Sequence, residues 1–99
     1  MSWSPAPETD AEIREWMKDQ GWAVTTTHYD FRREIYAWRN EAPGDSHTLR
    51  VTQAVLEDHP AAELIGHLNR LHVADLISGN PRNTLVRRSG GSVVAVALD

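Results

Sequence analysis

The chain has 99 residues, fourteen acidic and ten basic side chains, a formal net charge of −4 and no cysteine. That length suits one hydrophobic core and not two, and the lack of cysteine excludes disulfides, thiolate metal centres and thiol nucleophiles together. The acidic balance argues against a generic nucleic-acid binder, which needs basic groups to displace counterions from phosphates. No apolar run approaches the roughly 18 residues of a membrane span, and the start MSWSPAPETD lacks the basic-then-apolar layout of a secretory signal. The expected setting is the cytoplasm, with no membrane partner.

The first residues, with two prolines, two serines and no periodicity, read as a flexible arm over 1–8, followed by a single α+β domain over 9–99. Trp3 is out of place in such an arm, and folding back onto the body is favoured over docking on another chain. Thr9-Asp10-Ala11-Glu12 has the form of a capping box. A helix over residues 10–20 follows, with Ile13, Trp16 and Met17 as its buried stripe and Gly21 as the left-handed residue that closes it under Trp22.

Three stretches of strand composition come next: WAVTTTHY (22–29), REIYAWRN (33–40) and HTLRVTQAV (47–55). Ala42-Pro43-Gly44-Asp45 between the last two suits a type II turn, so an antiparallel meander is expected. In EDHPAAELIGHLNRLH the residue before Pro60 is pushed out of helical geometry, which places the cap at Asp58 or His59 and Pro60 in the first turn of a second helix. Leu64, Ile65, Leu68 and Leu71 form its stripe. The spacing then slips to Val73, Leu76 and Ile77, predicting a break near His72 and a short extra turn before Gly79-Asn80-Pro81.

RRSGGS (87–92) is the stretch that most resembles a phosphate loop. A phosphate loop lies between a strand and a helix, however, and nothing helical follows Ser92. Paired glycines between TLVR and VVAVAL instead predict a hairpin with a type I′ turn. VVAVAL is apolar on both faces, so it is expected to be covered on both sides or to lie inside the sheet. The fold class is therefore α+β in the order α-β-β-β-α-β-β: an antiparallel meander with two main helices packed on one face, and a C-terminal hairpin.

Few constellations point to catalysis. His59, Glu63 and His67 fall at i, i+4, i+8, but capping and solvated-face roles account for them, so no metal and no other cofactor is expected. Ser78, Ser89 and Ser92 with His72 and Asp75 lack a nucleophile elbow, and Glu57 with Asp58 reads as acid at the start of the second helix. No catalytic residue is assigned.

The richer pattern lies on the meander, where side chains alternate with period two. Placing the large apolar residues toward the helices leaves Thr25, Thr27, Arg33, Arg39, Arg50 and Thr52 on the far face, a surface suited to phosphate or to an acidic partner. A rival map turns Tyr36 and Trp38 outward, with Phe31 and Arg32, as a stacking platform. It removes two of the largest apolar groups from a small core, so core is preferred. The order of elements resembles winged-helix and double-stranded RNA-binding domains in outline, yet the segment Ala74 to Ser78 carries Asp75 and no base-reading side chain against the first, and the acidic balance and absence of lysines at the second helix start speak against the other. The function expected is a small non-catalytic binding module, a cytoplasmic regulator or adaptor acting through protein contacts and its own dimer, with Arg33, Arg39, Arg50, Arg87 and Arg88 as binding residues. The alternatives are a nucleic-acid binder using the Thr/Arg face or the wing-like hairpin, and a small enzyme.

Overall fold

The computed structural model describes residues 3–43, 46–79 and 82–98. Its elements are α1 (Pro7–Asp19), β1 (Thr26–Asp30), β2 (Ile35–Asn40), β3 (His47–Thr52), α2 (Gln53–Asp58), α3 (Ala61–Arg70), α4 (Val73–Ser78), β4 (Asn83–Ser89) and β5 (Ser92–Ala97). The strands form one sheet in the order β1-β2-β3-β4-β5. The meander β1-β2-β3 and the hairpin β4-β5 are antiparallel, as the sequence predicts, but β4 joins β3 in parallel. Helices α2 to α4 make this possible, because a parallel neighbour requires the chain to travel back along the whole strand before pairing again.

Alternation along the strands separates two faces. Trp38 lies opposite Leu49, Tyr36 opposite Val51, and Val51 opposite Val86. Trp38, Leu49, Val51 and Val86 are fully buried beside Ile13 and Met17 of α1, Val55 of α2, Leu64 and Leu68 of α3, and Val73 and Ile77 of α4. All four helices thus cover the same face. The two indoles that close this core each find an acceptor: Trp38 Nε1 donates to Asp10 Oδ1 at 2.9 Å and Trp16 Nε1 to Asn69 Oδ1 at 2.9 Å. These bonds tie α1 to β2 and to α3, since a buried indole N–H without a partner is costly.

Thr84 is the exception inside this core. It is fully buried, and its hydroxyl makes no hydrogen bond among the described residues. A buried unpaired polar group costs about 1 to 3 kcal/mol. Thr84→Val, which keeps the shape, is expected to raise stability by about 1 kcal/mol in urea unfolding; a loss of stability would show that the hydroxyl is bonded.

Several boundaries differ from the sequence reading, each for a physical reason. Helix α1 begins at Pro7 with Ala6 as its cap, and Thr9 lies buried in the first turn and makes no capping bond. Proline with its preset φ and missing donor suits the first helical position, and that preference outweighs the capping box. At the other end the reading holds: Gly21 has φ +92°, Gly21 N donates to Lys18 O at 2.9 Å and Trp22 N to Met17 O at 2.9 Å, the paired bonds of a Schellman closure. Trp22 is therefore spent on the helix end, and β1 starts only at Thr26.

The third strand stops at Thr52, where the chain turns into α2. Val55 and Leu56 are both buried; adjacent residues of a strand point to opposite faces, whereas a helix can bury both. His72 has φ 54° and separates α3 from α4, the break that the slipped spacing predicts. In the hairpin Gly90 has φ +59° and Gly91 is not left-handed, so the turn has the II′ pattern in place of I′. Of the other expected turns, Gly44 and Asp45, and Asn80 and Pro81, lie outside the described residues.

Candidate functional site

The opposite face of the sheet has no helical layer among the described residues. Register places Thr26 and His28 of β1, Ile35, Ala37 and Arg39 of β2, Thr48, Arg50 and Thr52 of β3, Leu85 and Arg87 of β4, and Val94 and Val96 of β5 on it. Thr27 was expected here but lies opposite Trp38 and faces the helices, because β1 pairs one residue away from the expected alternation. Arg39 and Arg50 line a recess of about 300 Å³ with Thr26, His28 and Thr48. Arg50 also borders a second recess of about 450 Å³ with Arg33, Ile35 and Leu85. It stands between the two, held by a 3.1 Å bond from its Nε to Asn83 Oδ1.

The structure therefore gathers Arg33, Arg39 and Arg50 around adjoining recesses and sets Arg87 at the hairpin end of the same face. Arg88 is separated from them. It is one residue on in the strand, turns to the helix side, and donates to Asp58 Oδ2 of α2 at 2.5 Å. Acids also reach the face, with Glu41 at 3.6 Å from Arg39 and Asp30 at 4.0 Å from Arg33. Even so, the charge is polarised. Among the described residues nine acidic side chains and only three basic ones lie in the helices, leaving three acids and seven arginines for the strands and connections.

The two edges of the sheet differ sharply. β1 is five residues long, ends on Asp30, and is followed by Arg32 and Arg33, the charged, short design that keeps an edge from pairing with other chains. β5 reads SVVAVA and carries no charge. It was expected to be covered on both sides or to lie inside the sheet; instead it is the outer strand, with Val96 37% exposed and Val94 half-buried beside half-buried Leu85. Val93 alone of its valines is buried against the helices. Composition announces this strand's apolar character, but its position at the edge depends on β4 pairing with β3, which no local signal encodes.

At the far end of the meander Trp3 folds back onto the body, as expected, with its ring 5.5 Å from Tyr29 and 6.2 Å from Tyr36. The Tyr29 hydroxyl donates to Gln53 Oε1 at 2.5 Å. Burial raises the Tyr29 phenol above its ordinary 10.0, and the carboxylates of Glu34, Glu57 and Asp30 push the same way. The fold thus favours the neutral phenol: its contribution is complete below the ordinary value and is lost as pH rises through the higher folded one. Lys18 is the only lysine, so few other groups titrate in that window. Melting temperature is expected to fall more steeply between about pH 9 and 11 in the native chain than in Tyr29→Phe; equal slopes would contradict this assignment.

The groups considered for catalysis are scattered. The Ser78 hydroxyl donates to Ala74 O at 2.5 Å, and His72 Nδ1 lies 3.9 Å from Asp75 Oδ2 on an exposed corner, while Ser89 and Ser92 are at the hairpin turn. Glu57 accepts from Gln53 Nε2 at 3.4 Å. His59, Glu63 and His67 do converge: Glu63 Oε1 is 3.7 Å from His59 Nε2 and 3.9 Å from His67 Nε2. Among the described residues no helix is long and apolar enough to cross a membrane. Compared with known protein families, with curated proteins and with solved structures, the chain matches none.

Proposed function

We propose that this protein is a non-catalytic binding module that acts through protein contacts, first with a second copy of itself along β5. The observation that carries this reading is the contrast between the two edges: β1 ends on Asp30 and is followed by Arg32 and Arg33, whereas β5 offers six uncharged residues and an adjoining apolar patch of Leu85, Val94 and Val96. Such an edge left bare invites uncontrolled pairing. Antiparallel pairing of two β5 strands satisfies both rows of backbone groups by a closed two-fold, continues the sheet across the pair, and stops there. Pairing through the arginine face is the poorer solution, because a two-fold would set like charges against each other. That face remains open in the pair for an acidic partner, which fits a regulator or adaptor of the cytoplasm.

Sizing with light scattering tests the reading. At about 100 μM the native chain is expected to run at twice its mass and Val96→Lys at its single mass, with monomer stability changed by no more than about 0.5 kcal/mol for an exposed position. A native chain that is monomeric at that concentration overturns it.

A second reading has its own support, since Arg33, Arg39 and Arg50 beside Thr26 and Thr48 offer phosphate-binding groups on one surface. It predicts duplex DNA binding at about 150 mM salt, with a log–log salt slope that falls by about two when Arg39 and Arg50 are both changed to Gln. The helix layer's acids oppose it, and no such binding is expected.

A further inference from the structure

His59, Glu63 and His67 come from α3 and from the joint that links it to α2. His59 closes α2, Glu63 lies in the first turn of α3, and His67 is one turn further along. One ligand atom from each lies within 4.8 Å of the others, and the imidazole rings are 5.0 Å apart and nearly perpendicular. Both histidine side chains are largely buried, at 14% and 23% exposed.

The protonation pattern of these rings is constrained by their other nitrogens. His59 Nδ1 is 2.9 Å from Val55 O, a carbonyl that can only accept, so Nδ1 carries the proton and donates. In the neutral ring Nε2 carries the lone pair and lies 3.7 Å from a carboxylate oxygen, so a cation between the two would meet two electron-pair donors. A backbone carbonyl fixing the tautomer through Nδ1 is also the usual outer support of a metal-bound histidine. At His67 the arrangement is reversed: Arg70 donates to Nδ1 at 2.8 Å, which leaves Nε2 carrying the proton. Arg70 is exposed and free to swing away.

We propose that His59, Glu63 and His67 form a site for one divalent transition-metal ion of the zinc class, and that Arg70 opposes its binding by holding His67 in the wrong tautomer. Two imidazoles and a carboxylate are a sufficient protein ligand set for zinc, with ligand bonds of about 2.0 to 2.2 Å. Ligand atoms bound at that distance are roughly 3.3 to 3.6 Å apart in a tetrahedron, so the 3.7 and 3.9 Å separations from Glu63 close by a few tenths, and the two imidazoles, whose ligand atoms lie within 4.8 Å of each other, draw together by up to about 1.5 Å. The fourth position faces solvent beside the exposed Glu63 and takes water. On binding, the His67 Nε2 proton is lost, Nδ1 takes up a proton, and Arg70 moves out. Bound metal would pin α2 to α3 across Pro60, where no side chain caps α3.

Titration of the native chain with zinc chloride by calorimetry tests this, with His72→Ala as a control on a histidine outside the cluster. One ion per chain is expected. Glu63→Gln and His67→Gln should each weaken binding at least about tenfold, and Arg70→Gln should strengthen it several-fold. Glu63 is exposed, so its variant keeps the fold; a far-ultraviolet spectrum checks the His67 variant. Gain of affinity in Arg70→Gln without a matching gain in Arg87→Gln, which removes one exposed positive charge elsewhere, places the bound ion beside Arg70 and distinguishes this site from adventitious binding. Absence of saturable binding below about 1 mM, or affinity unchanged by Glu63→Gln and His67→Gln together, overturns the proposal.

Discussion

Trp38→Ala is expected to cost about 3 to 5 kcal/mol, the range for removing a buried large aromatic. The residue is fully buried, pairs across the sheet with Leu49 and Thr27, and contacts Tyr36 edge-on at 4.9 Å between ring centroids. Its truncation also removes one of the two donors to Asp10, which accepts from Trp38 Nε1 and from Arg14 Nε. Against a total of about 5 to 15 kcal/mol for a small domain, the loss leaves a substantial unfolded population at physiological temperature. Trp38→Phe keeps most of the volume and should cost clearly less, while Asp10→Ala removes the hydrogen bond together with the exposed Arg14 ion pair, at about 1 to 3 kcal/mol. Chemical unfolding of the three variants measures the terms separately. A melting curve almost unmoved by Trp38→Ala would favour the stacking-platform map of the sheet and sink the core assignment.

The second large effect belongs to α3. Leu68 is fully buried, and its helix packs on α1 beside the Trp16–Asn69 hydrogen bond. Leu68→Ala is expected to cost about 2 to 5 kcal/mol, because the lost contacts add to the cavity left in a site walled by rigid helices. Ile65, one turn back and half-buried at the side of the stripe, should cost less on the same change. If calorimetric melting shows the two variants equally destabilised, the helix is rotated from the orientation described.

Much of this architecture is legible in the sequence because the signals are local. The Schellman glycine at 21, the break near His72 and the glycine hairpin at 90 each follow from a few neighbouring residues, and the inward direction of Trp38 follows from the apolar area that so small a core needs. Errors arose where two local signals competed, as at Pro7 against Thr9, or where tertiary contact decided, as at Gln53, whose amide bonds to Glu34 O at 2.7 Å as the strand turns into α2. The candidate site was half visible. Period-two alternation identifies Arg39 and Arg50 as neighbours of one face, but the parallel joint between β3 and β4 brings Leu85 beside Arg50 and exposes β5 as an edge. That joint links segments more than thirty residues apart in the chain, and no pattern of alternation or turn chemistry reports it.

The absence of native cysteine permits a direct test of pairing along β5. In an antiparallel two-fold pair some residue near the middle of the strand faces its own copy, with Cα atoms about 4.5 to 5.5 Å apart, within disulfide reach. Single cysteines placed in turn at positions 93 to 97 should therefore include at least one that forms a covalent dimer rapidly under mild oxidation, while Thr26→Cys on the β1 edge stays monomeric. Slow and equal cross-linking at every position, or preferential cross-linking at Thr26, would contradict the account.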